Sequence, residues 1–140
     1  MSVHPSPKNL ARDVVRQVWP KRQPRRPRPK NPGEAKTRAL LAERSGGWCE
    51  ASGLVRAQSV HHRRKRSQGG PWTASNCVHV CGDGTRGCHG WAEANPVQAG
   101  ADGFSLRNGE DPARTPIVSG LHGHVLIADD GSIRPAGGAA

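Results

Sequence analysis

A small α+β domain is the fold this sequence predicts, with a helix ahead of its strands, a basic, disordered tail at the N-terminus and a hairpin towards the C-terminus. Three observations lead there. An apolar content of 34%, with 4% aromatics and no Tyr in 140 residues, excludes a large core, and small cores usually need a staple. Two short strand-like runs, residues 58–62 and 76–80, stand between two helix-like runs, 33–45 and 89–95. Charge is segregated as well: residues 1–66 carry 17 Lys/Arg against 4 Asp/Glu and residues 67–140 carry 4 against 7, which gives +13 and −3 in a total of +10. We therefore expect a tail over 1–32, a domain over 33–98, and a hairpin with a flexible end over 99–140.

The tail opens with a weakly amphipathic run whose apolar residues are Val14, Val15, Val18 and Trp19. Then five prolines, at 20, 24, 27, 29 and 32, remove backbone donors and forbid a regular helix. That leaves Arg25, Arg26 and Arg28 free to meet phosphates. Residues 33–45 follow as a helix, with Asn31 as its cap, Pro32 in its first turn and Glu34 where the dipole favours an anion. Ala39, Leu40 and Leu41 form its apolar side, and Gly46 and Gly47 stop it.

Residues 48–57 read as turns, and 58–62 as a strand ending in a histidine doublet, His61 and His62. A basic loop, Arg63 to Arg66 and on to Gly70, leads to a second strand over 76–80 with Val78 and Val80 on one face. The segment CGDGTRGC is too rich in turn residues for a regular element. A helix over 89–95 carries Trp91 as a buried anchor, with Pro96 just past its end, and Trp72 is a second core anchor. Further on, Asp129, Asp130 and Gly131 signal a hairpin turn between apolar runs. His122 and His124 sit there without a pattern that marks them as ligands.

Chemistry concentrates between Val60 and Pro96. Phosphodiester hydrolysis needs a charge neutralised, a water deprotonated and a leaving oxygen stabilised, and one divalent ion with one neutral histidine can do all three. Adjacent histidines on a strand point to opposite sides, so one can face a metal and the other the attacking water. Asn76 follows His62 by 14 residues, and His89 follows Asn76 by 13. Asn76 can serve as an oxygen ligand or can fasten the loop that carries the base.

The segments VHHRRKRSQGG, SN and CGDGTRGCHGWAEANP resemble the HNH endonuclease family, particularly its small members in actinobacterial phages and prophages. The resemblance spans about residues 36–98, with GGWCE and CHGW adding to it. It implies a ββα-metal (His-Me finger) fold and metal-dependent cleavage of DNA. It makes His62 the general base, His61 and His89 ligands of a catalytic Mg, Mn, Ni or Zn ion, and Asn76 the middle residue of the motif. Arg63 would hold a phosphate, beside Arg64, Lys65 and Arg66. A structural zinc is implied too, on Cys49, Cys81 and Cys88, but Ser52 stands where a fourth cysteine is expected. His79 or Cys77 could substitute there, although Cys77 suits a small buried apolar position equally well.

Other function classes fit less of the sequence. A non-catalytic, zinc-finger-like DNA-binding module would need neither the doublet nor Asn76. An RNA-binding protein would rest on charge alone, with no aromatic recognition surface. DNA is the expected partner, with a phage terminase as a second if the gene is phage-borne. No apolar leader follows Met1 and no run approaches the ~20 apolar residues of a membrane span. We thus expect a cytoplasmic protein (host cytoplasm if phage-encoded), with its four cysteines reduced and available to metal.

Overall fold

The computed structural model describes residues 31–137. The expected tail, with Arg25, Arg26 and Arg28, lies almost wholly outside the described residues. The first element is helix α1 (Glu34–Ser45). Asn31 is not its N-cap. Its side-chain amide donates to the Glu34 carboxylate at 3.0 Å, and Gly33 takes the cap position with φ +78°. Gly46 closes the helix in the left-handed region, its N–H reaching Ala42 O, as its sequence position suggests. The buried stripe is Thr37, Leu41 and Ser45, each four residues from the next, whereas Ala39 is exposed.

Strands β1 (Ser59–His62) and β2 (Cys77–Val80) pair antiparallel, with His61 opposite Val78 and His62 opposite Cys77. The loop between them holds one 3₁₀ turn (Arg66–Gln68). Helix α2 (Gly87–Ala94) packs across both strands. Trp91 is 38% exposed and does not anchor it; Ala92, one position on, is the buried residue. Pro96 stands just past the end of α2, as expected, and also opens helix α3 (Pro96–Ala101), where a missing N–H costs nothing. The C-terminal hairpin gains a third strand: β3 (Ile117–Ser119), β4 (Gly123–Ile127) and β5 (Ile133–Pro135) form one antiparallel sheet in that order. The expected Asp129–Gly131 turn joins its last two strands, with Gly131 at φ +87°. The architecture is therefore α+β, and among the described residues no helix is long and apolar enough to cross a membrane.

The expected boundary at residue 98 falls inside α3. Cys49, Val78, Val80 and Ala92 share one buried cluster with Ala99, Phe104, Ile117, Val125 and Ile127. The described residues, 31–137, belong to one compact unit. A second, smaller cluster of Leu41, Ala74 and Cys77 lies with Leu40, Val60 and Trp72 packed on it.

A buried ionic network ties these layers together. Arg44 forks onto Glu50 at 2.6 and 2.9 Å, with both side chains 2% exposed. The guanidinium also donates to Ala74 O and Cys77 O. Glu50 accepts from the His79 N–H and lies 3.0 Å from His122 Nε2, and its carbonyl accepts from the Ser119 hydroxyl. Burial raises the Glu50 carboxyl, but His122 and Arg44 outweigh it and hold it below the ordinary carboxylate range. Arg44→Met is expected to cost about 3–5 kcal/mol in urea unfolding, because it strands a buried carboxylate. The double variant Arg44→Met/Glu50→Leu should cost less than either single change. Additive losses would show that the two side chains act independently.

Candidate metal centres

Alternation along β1 sends the histidine doublet to opposite faces. His61 turns inward and is 3% exposed. Its Nε2–H donates to Phe104 O at 2.6 Å, which leaves the Nδ1 lone pair free. That atom is buried without a hydrogen-bond partner, 3.7 Å from Glu93 Oε1. Burial, opposed by the Phe104 carbonyl, lowers the His61 pKa and keeps the ring neutral, the form in which imidazole ligates.

His89 stands on α2 with its ring edge-on to His61, centroids 5.2 Å apart. The Ser59 hydroxyl donates to Gly82 O at 2.9 Å, so at 2.8 Å its oxygen must accept from His89 Nδ1–H. Nε2 of His89 is then the free acceptor. Glu93, four residues along α2, shares that face. His61, His89 and Glu93 each bring one ligand atom within 4.8 Å of the others. An orphaned buried lone pair, a second histidine with its tautomer fixed and a carboxylate make a fitting donor set for a divalent ion. Glu93 is the member that our sequence analysis missed, although its spacing from His89 on a helix is a legible signal.

The other expected site residues go elsewhere. His62 leaves the opposite face of β1 and meets the edge of Trp72, with centroids 4.4 Å apart. Its Nε2 is buried without a partner. Burial first, then Arg66, pushes its pKa down to about 4. Asn76 is fully buried and is not among the clustered donors. Its Oδ1 accepts from Arg64 N at 2.8 Å, and its Nδ2 donates to Arg64 O and Pro71 O. Of the two expected roles, fastening the loop is the one its contacts serve.

Arg63 is no phosphate contact. It is 1% exposed and donates to the carbonyls of Gly103, Ser75, Pro112, Thr115 and Pro116. Burial lowers its pKa to about 10, so it stays charged at neutral pH. Of the expected phosphate-binding cations among the described residues, Arg64 is half-buried and Lys65 and Arg66 are exposed. Lys65 Nζ lies 3.1 Å from Glu93, directly beside the cluster. Arg66 and Arg38 both lie over the Trp72 ring.

The thiols of Cys49, Cys81 and Cys88 form a second group, again within 4.8 Å of one another. All four cysteines are free, and this trio could hold a metal ion. Gly82, at φ +79°, lets the loop close: a Cβ there would stand 2.0 Å from Arg86 O. Neither expected substitute completes the trio. Cys77 belongs to the smaller core cluster, and burial pushes its thiol up to about 12. His79 Nδ1 is engaged by Ser45 Oγ at 2.9 Å. His122 pairs with Glu50, and His124 is exposed.

The half-buried His62 gives a testable pH dependence. Its folded pKa lies below the ordinary 6.5, so between 6.5 and about 4 the unfolded chain binds more protons and stability falls as pH falls. The urea midpoint should therefore drop between pH 7 and 5. His62→Phe, which keeps the edge contact with Trp72, should flatten that drop, and an unchanged slope would place the titration on other groups.

No protein-family model, no curated protein and no solved structure matches this chain.

Proposed function

We propose that this chain is a metal-dependent endonuclease of the HNH kind that hydrolyses phosphodiester bonds in DNA. The observation that carries the proposal is the convergence of His61, His89 and Glu93 where α2 crosses β1, next to a loop bearing Arg64, Lys65 and Arg66. The strand–strand–helix unit agrees with a ββα-metal finger. A divalent ion on these three groups would neutralise the phosphate and stabilise the leaving oxygen.

The chain's own residues do the rest. Phe104 O and Ser59 Oγ hold the two imidazoles in the ligating tautomer. Lys65 can turn from Glu93 to a phosphate oxygen, and the +10 net charge favours a polyanion. Asn76 fixes the backbone two residues beyond His62. The family resemblance makes His62 the candidate base: it is uncharged at neutral pH and follows His61 on β1, with its ring on the face away from the cluster. A role beside a phage terminase belongs to the same proposal and rests on the family resemblance alone.

The rival function is a non-catalytic, zinc-finger-like DNA-binding module, which the clustered Cys49, Cys81 and Cys88 favour. Cleavage separates the two. Purified protein with Mg²⁺, Mn²⁺ or Ni²⁺ should nick plasmid DNA, and Glu93→Ala should lose at least about 100-fold in rate, as expected on losing a metal ligand. His62→Ala should lose cleavage while keeping metal and DNA binding. Cleavage by Glu93→Ala at the wild-type rate would remove the cluster from the mechanism, and the same result for His62→Ala would remove His62 as base. Lys65→Ala and Arg66→Ala should each lower the salt slope of DNA binding by about 1, while Arg63 variants act through stability.

A further inference from the structure

Glu93 is the one carboxylate in the donor cluster, and it is shared. Its Oε1 faces the unpartnered His61 Nδ1 at 3.7 Å, and its Oε2 takes the Lys65 ammonium at 3.1 Å. With both imidazoles neutral, as ligation requires, the charges of Glu93 and Lys65 cancel. A divalent ion entering this set meets its one anionic ligand already neutralised, with a cation on the far oxygen. Coulomb repulsion between that ion and the ammonium then weakens metal binding.

The neighbouring cations of the loop are engaged elsewhere. Arg64 donates to Gly69 O at 3.2 Å and Arg66 to Asn31 Oδ1 at 3.0 Å, whereas Lys65 pairs with the cluster. The backbone of Lys65 is pinned, its carbonyl accepting from Gln68 N–H and Gly70 N–H, both at 2.9 Å. Its side chain is free to swing. It is 47% exposed and Glu93 is 34% exposed, so the pair gains little over water and opens readily. A fixed Cα with a long flexible stem can exchange a carboxylate for a phosphate oxygen while the loop stays in place.

We propose that Lys65 is an autoinhibitory latch on Glu93: in the free protein its ammonium keeps a divalent ion from the cluster, and a nucleic-acid phosphate that draws Lys65 away opens the site. Metal and nucleic acid then help each other to bind. A phosphate on Lys65 frees the carboxylate for the ion, and an ion on Glu93 frees the ammonium for the phosphate, a reciprocal coupling between two ligands. The inference rests on the metal-dependent reading of His61, His89 and Glu93, and adds to it that the cluster fills poorly until nucleic acid arrives.

The test is a Mn²⁺ titration of the metal-free, reduced full-length protein, read by loss of the free ion's electron paramagnetic resonance signal. Mn²⁺ suits carboxylate and imidazole better than thiolate, which keeps the readout away from the cysteines. Lys65→Met should bind Mn²⁺ about 5–20-fold more tightly than wild type, and Lys65→Arg, which keeps the charge, should stay within about twofold of wild type. Adding Glu93→Gln to Lys65→Met should abolish the gain. In metal-free buffer Glu93→Gln alone should tighten binding of a short DNA duplex by about threefold or more, and by less in the Lys65→Met background. Lys65→Met that matched wild type, or bound Mn²⁺ more weakly, would overturn the latch and leave the metal site standing. Equal tightening of DNA binding in the two backgrounds would overturn the coupling, since Glu93 would then repel DNA without acting through Lys65. Absence of Mn²⁺ binding from both wild type and Lys65→Met, or binding that Glu93→Gln left unchanged, would overturn the site and the latch together.

Discussion

The Arg44–Glu50 pair is the constraint on which this small molecule depends. It joins α1 to the turn that bears Cys49, and through Glu50 it reaches β2 and the C-terminal sheet. Two charges removed from water are costly unless every remaining donor and acceptor is satisfied. Here the guanidinium has Ala74 O and Cys77 O as well as the carboxylate, and the carboxylate has His79 N–H and His122. Such a network does less to add net stability than to exclude other packings, because any misplaced layer would leave a buried charge bare. A chain with one Phe and no Tyr has few apolar anchors with which to make that choice.

Arg63 repeats the device on the other side of β2. Its carbonyl partners lie in residues 103–116 and at Ser75, so a guanidinium from the strand end draws the C-terminal half inward. This is how Phe104 comes to place its carbonyl on His61. The residues beyond α3 are therefore part of the geometry of the candidate cluster, not an appendage to it. Segment 33–98 contains the three donors, but not the group that fixes the tautomer of one of them.

What the sequence makes legible here is local. The doublet, the strand alternation, the glycine stop of α1 and the turn at Asp129–Gly131 follow from neighbours within a few residues. What it hides is set by distant partners. Nothing in HHRRKR distinguishes Arg63 from Arg64 or Arg66, since the carbonyls that bury Arg63 lie 12 to 53 residues away. Trp91 and Ala92 differ by one helical step, and which of them faces inward depends on how α2 is rotated against the sheet. Glu93 shows the opposite case: its spacing from His89 is visible in the sequence, but a histidine motif draws attention to nitrogen and sulfur and away from a carboxylate.

The opposite orientation of His61 and His62 gives hairpin register a chemical meaning. A slip of one residue between β1 and β2 would exchange the two rings, putting His62 among the donors and His61 against Trp72. Asn76 guards against it from the loop side, because its backbone carbonyl takes the Arg63 N–H while its side chain grips Arg64 and Pro71. Length changes thus fall into two classes. Residues inserted at the exposed tip around Gln68 and Gly69 lie outside that clasp and leave the pairing intact. One residue inserted between Ser59 and Arg63 inverts the strand's faces, and His61 and His62 trade places without either being replaced.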